Sequence, residues 1–266
     1  MLKVSEMDYK KECDCMINAC KKASERIMQI YKNGFKINYK SDASPVTDAD
    51  LASNEIIRNE LSVFNDIGWL SEEDADNDER FSKKAIFVID PLDGTADFVS
   101  HDDSFGINIA LVVDRHPVVS VVGVPAKKAY AYAIKGHGSY LVVDNKEEKL
   151  HVSDRIDNLI MVQSLTHNLD SEKAILRKYT DRIQDVKYMG ASTKAIALAK
   201  GDVDCSIRFT NMTKEWDVCA PELIVTEAGG IFVDTKLKPF IYNRKDVYNH
   251  NGYCMFNKKE NEFLLE

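Results

Sequence analysis

A run of apolar residues leads directly into two acidic residues in the first half of the chain. Residues 85–88 have the composition of a buried strand, and the stretch "IDPLDGTADF" that follows places Asp90 and Asp93 at its end. Two carboxylates at a buried position are costly unless a cation lies between them. Pro91 is expected to end the strand, and Gly94 permits a tight turn that would bring the second carboxylate beside the first. This stretch therefore predicts a functional site.

The order of apolar patterns predicts an α+β chain. Two helices are expected first, one over about residues 8–31 and one after "SPVTDAD". The inner face of the second helix is predicted to carry five apolar residues: Ala52, Ile56, Ile57, Leu61 and Phe64. The segments "GINIALVV", "PVVSVVGV", "KAYAYAI" and "GSYLVV" then follow in close succession and predict an antiparallel meander.

The pattern changes after about residue 153, where strand-like and helical segments alternate. Such alternation predicts a layered α/β half. We expect two subdomains, residues 1–153 with most of the site's acids and residues 154–266 with Asp217 and the substrate contacts, packed as one compact unit.

Charge and composition limit the classes of function. The formal net charge is −8, with 43 acidic residues against 35 lysines and arginines, so a nucleic-acid polymer is not the expected partner. The N-terminal stretch "MLKVSEMDYKKECDCMINAC" lacks a signal-peptide core, and no apolar run is long enough to span a membrane. We therefore expect an unexported, cytoplasmic protein. Its six cysteines are too sparse for a disulfide scaffold and are expected to be reduced.

Acidic or hydroxyl side chains recur in five stretches where a purely structural role is not obvious. These stretches are "SPVTDAD", "WLSEE", "DPLDGTADF", "KEWDVCAPE" and "EAGG". Structural interpretations exist, since Asp50 or Asp217 could each cap a helix, and Glu72 with Glu73 could belong to an exposed acidic loop. Pro221 would be tolerated near the first turn of the helix that Asp217 precedes.

Together, these acids favour a magnesium site. Carboxylates without a nearby set of histidines or cysteines are ligands for Mg²⁺ rather than zinc. Two Mg²⁺ ions about 4 Å apart suit phosphate-ester hydrolysis, because one prepares the attacking water and the other stabilises the leaving oxygen. The Thr95 hydroxyl could orient that water, and the amides of Gly94 and Thr95 could face the phosphate.

The motifs "DPLDGTADF" and "EWDVCAPELIVTEAGG" resemble the two signatures of the lithium-sensitive, magnesium-dependent inositol monophosphatase superfamily. "SPVTDAD" and "WLSEE" stand upstream of them in the family's order, and the resemblance covers roughly residues 10–256. It implies the layered αβαβα sandwich of the inositol monophosphatase and fructose-1,6-bisphosphatase type, with an antiparallel N-terminal sheet. It also implies two or three Mg²⁺ ions per site, inhibition by Li⁺ and no covalent phosphoenzyme.

The resemblance also implies roles for individual residues. The implied metal ligands are Glu72, Asp90, the backbone carbonyl of Leu92, Asp93 and Asp217. Glu72 and Thr95 would position and activate the nucleophilic water, and Asp50 would hold the Thr95 hydroxyl.

Smaller features resemble the 3′(2′),5′-bisphosphate nucleotidase branch more than the inositol monophosphatases: "KSDASPVTDAD", "WDVCAPE" and "KDVYNHNGY". "GASTKAIALAKGDVDCSIRF" places Ser192, Lys194 and Arg208 where that branch carries a serine, a lysine and an arginine. With Gly94 and Thr95 these residues would bind substrate, and the arginine could give a forked donor pair to a second phosphate. Alternatively, the two cations are surface charges. "CSIRFTNMTKEWD" matches no branch closely, which leaves the non-phosphate part of the substrate open.

The function expected from this resemblance is hydrolysis of the 3′-phosphate of 3′-phosphoadenosine 5′-phosphate, giving AMP and phosphate. The partner is then a small phosphorylated metabolite, and the protein would be a monomer or a homodimer. One alternative is an inositol monophosphatase or another sugar-phosphate phosphatase. Another is a catalytically silent protein that binds phosphorylated metabolites. A silent relative could lose Glu72, Asp93 or Thr95, yet all three are present.

Overall fold

The computed structural model describes residues 8–40, 45–76, 78–165 and 169–265. Within these ranges the α-helices are α1 (Lys10–Asn33), α2 (Asp48–Leu61), α3 (Thr95–Val99), α4 (Asp170–Lys178), α5 (Thr193–Ala199) and α6 (Glu215–Glu227). Short 3₁₀ helices cover Asp78–Ser82, Pro125–Lys127 and Lys259–Leu265. In the described part of the chain, no helix combines the length and the apolar character needed to cross a membrane.

The strands form a hairpin and two larger sheets. The hairpin is β1 (Ile37–Tyr39) with β2 (Pro45–Thr47). The first sheet contains β3 (Gly68–Ser71), β4 (Ala85–Asp93), β5 (Gly106–Val113), β6 (His116–Val124), β7 (Ala129–Ile134), β8 (Gly138–Val143) and β9 (Lys146–Lys149), in that order. The second contains β10 (Leu159–Ser164), β11 (Ile183–Met189), β12 (Cys205–Arg208), β13 (Ile231–Val233) and β14 (Tyr253–Phe256).

The elements stack in five layers. α1 and α2 pack on each other and on one face of the first sheet, which is antiparallel except for the parallel pair β3 and β4. α6 covers the opposite face of that sheet and also contacts α5 and β13. The second sheet has the order β11-β10-β12-β14-β13, and α4 packs beyond it with the C-terminal 3₁₀ helix. This arrangement confirms the αβαβα sandwich and the antiparallel meander.

The buried face of α2 differs from the prediction. Ile57 and Leu61 are buried as expected, but Ala52 and Ile56 are only partly buried. Polar residues take part of the inner face instead: Asp50, Ser53 and Asn54. Ser53 Oγ donates to the carbonyl of Pro91 at 2.7 Å, and Asn54 Oδ1 accepts from Ser71 Oγ at 2.8 Å. α2 therefore packs a polar stripe against the acid-bearing ends of β3 and β4.

Several strands lie outside the predicted set. β14 pairs antiparallel with both β12 and β13 inside the second sheet, although its sequence "YCMF" follows a polar loop.

The division into subdomains 1–153 and 154–266 stays a prediction. α6 comes from the second half of the chain but packs on the sheet of the first half.

Candidate active site

A bulge at the end of β4 places Asp90 and Asp93 on the same side of the sheet. Asp90 pairs with Asn108 of β5, and Asp93 pairs with Gly106, so two residues of β4 oppose one residue of β5 between these pairs. In a regular strand, residues three apart point to opposite faces, and one inserted residue restores a common face. The strand therefore continues through Pro91, which was expected to end it. The two carboxylates share a face because of this bulge and not because of the expected tight turn.

Three of the predicted metal ligands meet at one point although they come from separate segments. Glu72 follows β3, Asp90 lies in β4 and Asp217 lies in the first turn of α6. One carboxylate oxygen from each residue lies within 4.8 Å of the others. Burial, followed by the charge of Glu72, raises the pKa of both Asp90 and Asp217 well above the usual range. Carboxylates this close together repel each other, and a hard divalent cation, which prefers oxygen ligands, would offset the repulsion.

Asp217 occupies the third position of α6 and does not precede the helix. Its Oδ2 accepts from the backbone N–H of Lys214 at 2.6 Å, as in a capping box. Pro221 lies in the second turn and not near the first as expected. Because proline has no N–H, it cannot donate to the carbonyl four residues earlier, which is that of Asp217.

Asp93 has different partners from the three clustered acids. Its Oδ2 accepts from Asn108 Nδ2 at 3.1 Å and from the hydroxyl of Ser192. Burial raises the pKa of Asp93, and these hydrogen bonds act in the opposite direction. Ser192, predicted to contact substrate, therefore uses its hydroxyl to hold Asp93 at the edge of the site.

Thr95 connects the loop after β4 to α2. Its Oγ1 lies 2.9 Å from Asp50 Oδ1 and 3.2 Å from the carbonyl oxygen of Leu92, both of which can accept its proton. The other oxygen of Asp50 accepts from the backbone N–H and the hydroxyl of Thr47, at 2.8 and 2.6 Å. Thr47 is the N-cap of α2, so the interpretation of Asp50 as the cap is wrong.

Lys40 binds the acidic pair that follows β3. Its Nζ lies 2.9 Å from Glu72 Oε1 and 2.6 Å from Glu73 Oε1. Although burial acts to lower it, the two carboxylates raise the pKa of Lys40 overall. Glu73 is thus an internal ion-pair partner and not part of an exposed loop. Lys40 belongs to the quoted stretch "KSDASPVTDAD", but no role was predicted for it, and residues 41–44 of that stretch lie outside the described residues.

A cavity of about 260 Å³ lies beside the acids. Its wall includes the acids Asp93 and Asp217, Gly94, and the cations Lys194 and Arg208. These two cations are only 6% and 7% exposed, which contradicts the alternative that they are surface charges.

The two buried cations are held by different partners. Lys194 Nζ donates to the carbonyl of Ala191 at 2.6 Å, and burial lowers its pKa to about 8. Arg208 Nη1 donates to Glu172 Oε2 at 2.7 Å, and Glu172 is fully buried. The backbone N–H of Phe209 also donates to Glu172, at 3.3 Å. Arg208 is therefore fixed in direction by a buried carboxylate.

Sequence reasoning missed three residues that support the site: Lys40, Asn108 and Glu172. Asn108 could have been noticed, because it is a polar residue inside the apolar segment "GINIALVV". Glu172 gave no distinctive signal, since an acid in the first turn of a helix is common.

Comparison with known proteins places the chain in a family. The family model described as the inositol monophosphatase family matches residues 8–266. The 3′(2′),5′-bisphosphate nucleotidase CysQ of Aggregatibacter actinomycetemcomitans is 30% identical over 246 residues, covering 90% of this chain and 90% of that protein. The protein of the same name from Salmonella typhimurium is 31% identical over 235 residues, covering 87% of this chain and 94% of its own length.

A solved structure agrees with the sequence matches. CysQ from Bacteroides thetaiotaomicron, described as a bacterial member of the inositol monophosphatase family, has a TM-score of 0.82 and 28% identity. The match covers 94% of this chain and 99% of that one. The resemblance found in the motifs thus extends over nearly the whole chain, which belongs to the inositol monophosphatase family.

Proposed function

We propose that this protein is a metal-dependent phosphomonoesterase, a 3′(2′),5′-bisphosphate nucleotidase that converts 3′-phosphoadenosine 5′-phosphate to AMP and phosphate. One observation carries the choice of substrate: the cavity that reaches Asp93 and Asp217 is also lined by two buried cations, Lys194 and Arg208. An ammonium and a guanidinium in the wall of one cavity can both form charge-assisted hydrogen bonds with phosphate oxygens, so the pair favours a substrate with a second anionic group. The names of the CysQ relatives support the same substrate.

The acidic side of the cavity is proposed to hold Mg²⁺. Glu72, Asp90 and Asp217 would be ligands, with Asp93 and the carbonyl of Leu92 as further oxygen donors for a set of two or three ions. When bound, Mg²⁺ supplies Lewis acidity that polarises the phosphate and lowers the pKa of water. The chain's own carboxylates provide the negative charge that retains the ions.

Thr95 is proposed to orient the attacking water. Its hydroxyl proton faces Asp50, so the lone pairs of Oγ1 are available to accept a hydrogen bond from water. Because Asp50 is fixed by Thr47, the direction of the Thr95 hydroxyl is fixed as well. The Glu72 carboxylate can accept the water's other hydrogen.

The cationic side of the cavity is proposed to bind the second phosphate. Lys194 contributes an ammonium and Arg208 a guanidinium, and both line the cavity while the chain holds them through the carbonyl of Ala191 and the carboxylate of Glu172. All these residues come from one chain, so the proposal holds for a monomer or a homodimer.

Phosphate release from matched substrates tests this proposal. At equal Mg²⁺, the protein should hydrolyse 3′-phosphoadenosine 5′-phosphate faster than inositol 1-phosphate and faster than adenosine 3′-phosphate, which lacks the 5′-phosphate. Asp93→Asn should lose turnover of every ester, and Li⁺ should inhibit the wild type. A preference for the inositol ester would contradict the proposed substrate, and binding without hydrolysis of any ester would support the silent alternative.

A further inference from the structure

One acidic side chain in the cavity has no part in the mechanism above. Asp97 lies in α3, a few residues after Asp93, and lines the same cavity as Lys194 and Arg208. The residue is only 3% exposed. A buried carboxylate is unexpected in the wall of a cavity that would hold a doubly phosphorylated substrate, since like charges repel.

The Asp97 carboxylate has unused hydrogen-bonding capacity. Its Oδ1 is buried and has no hydrogen-bond partner among the residues that the structure describes. Lys194 donates instead to the carbonyl of Ala191. Burial raises the pKa of Asp97 to about 6, although the charge of Lys194 acts in the opposite direction. A buried acceptor without a partner is costly, so a small rotation of the side chain that brings Oδ1 to a donor on a bound ligand would relieve this cost.

Close packing against backbone holds the carboxylate beside the cavity. Asp97 Oδ2 lies over Gly190, where any Cβ would overlap it, and lies 3.2 Å from the position of a Cβ on Gly94. The backbone of Gly190 is not in the left-handed region, so the close approach explains this glycine. Gly94 and Ala191 both line the cavity, and Gly94 separates Asp93 from Thr95. Asp97 is therefore placed next to the residues assigned to the reacting phosphate.

We propose that Asp97 is a specificity-determining residue whose carboxylate accepts a hydrogen bond from the ribose hydroxyl adjacent to the scissile phosphate. The inference rests on the proposed function. A carboxylate attracts a hydroxyl and repels a phosphate, so it favours a substrate with a free hydroxyl beside the phosphate that is removed. It complements Lys194 and Arg208, which are proposed to attract the second phosphate.

Removal of one hydroxyl from the substrate tests the inference. The substrates are 3′-phosphoadenosine 5′-phosphate and its 2′-deoxy counterpart, compared by kcat/KM at equal Mg²⁺. The wild type should prefer the ribose form by about tenfold to a hundredfold, the range for a hydrogen bond to a charged group. Asp97→Ala should reduce this preference to near unity by slowing the ribose form. Asp97→Asn, which keeps the size of the side chain, should retain only part of it.

A charge control separates this contact from a general effect of acidity. Asp103→Asn removes an exposed carboxylate outside the cavity, which accepts from the Tyr31 hydroxyl, and should keep the wild-type preference. An equal preference in Asp97→Ala and the wild type, or no preference in the wild type, overturns the inference. If thermal unfolding shows that Asp97→Ala is not folded, the ratio of kcat/KM for the ribose and 2′-deoxy substrates is measured in Asp97→Asn instead. If the wild type hydrolyses neither nucleotide, the proposed function fails and the inference fails with it.

Discussion

Lys40 Nζ lies 2.9 Å from Glu72 Oε1, and Glu72 is one of the three acids that meet at the candidate metal site. Lys40 directly follows β1, so this ion pair links the β1–β2 hairpin to the acidic cluster. A lysine ammonium carries one charge and cannot neutralise three carboxylates. A divalent cation bound at this site would therefore share Glu72 with Lys40 or displace Lys40 from it.

Lys40→Met is expected to lower the Mg²⁺ concentration that gives half-maximal activity. Removal of a competing ammonium should strengthen cation binding by up to about fivefold, since a partly exposed ion pair contributes at most about 1 kcal/mol. Titration of activity with Mg²⁺ measures the change, and Lys40→Arg, which keeps the charge, is the control. A higher Mg²⁺ requirement in Lys40→Met would show that Lys40 helps to assemble the site.

Asp90→Asn is expected to abolish hydrolysis and to stabilise the metal-free protein. Burial and the charge of Glu72 raise the pKa of Asp90, so the folded state favours the protonated form. The stability that this group contributes is present at acidic pH and is lost as the pH rises through the raised pKa. At pH 8 without metal, the variant should melt above the wild type, by about 2–4 °C for each kcal/mol of repulsion removed.

Calorimetry with and without Mg²⁺ checks this prediction. Mg²⁺ should raise the melting temperature of the wild type strongly and that of Asp90→Asn weakly. Asp66→Asn, at an exposed position after α2, should leave both values unchanged. A metal-free Asp90→Asn protein less stable than the wild type would mean that the carboxylates do not repel each other as their positions indicate.

Thr95→Val should lower kcat while leaving KM nearly unchanged. The substitution keeps the shape of the side chain but removes the hydroxyl that Asp50 holds, and loss of a group that helps to position and activate the attacking water costs about 10²–10⁴-fold. Thr95→Ser should retain most of the activity. Since Asp50 is proposed to act through Thr95, the double variant Asp50→Asn/Thr95→Val should be little slower than Thr95→Val alone. Additive losses would show that Asp50 acts independently of Thr95.

The acids of the site could be found from the sequence because they interrupt apolar or helical patterns. Asp90 follows an apolar run, and Asp217 follows a tryptophan at a helix start, so each is conspicuous in its own segment. Their meeting point could not be derived from the same patterns. It depends on the register of β4 with β5 and on the packing of α6 on the first sheet, which are long-range relationships.

The partners of these residues were harder to predict than the residues themselves. Ser192 was expected to contact substrate and does line the cavity, but its hydroxyl also donates to Asp93, 99 residues away in the sequence, which no local pattern indicates. Glu172 fixes Arg208 across 36 residues of sequence, and no local pattern indicates that pairing. The strand β14 was missed for a different reason: it has only four residues, and so short an apolar run is not distinguishable from part of a loop.

The efficiency of the enzyme toward the bisphosphate should fall as the pH rises through about 8. Burial lowers the pKa of Lys194 to about 8, so its ammonium is charged below that pH and neutral above it. The charged form is proposed to attract the second phosphate, so its loss should lower kcat/KM, which reports ionisations of the free enzyme. The ratio of kcat/KM for 3′-phosphoadenosine 5′-phosphate to that for adenosine 3′-phosphate isolates this contribution from other titrations in the site.

Two variants of Lys194 make the pH prediction decisive. Lys194→Arg keeps the positive charge at all accessible pH values, so its ratio should not fall near pH 8. Lys194→Met removes the charge, and its ratio should stay low and flat from pH 6 to pH 9. A fall near pH 8 that persists in Lys194→Met would assign the titration to another group, because that variant has no ammonium at this position to lose its proton.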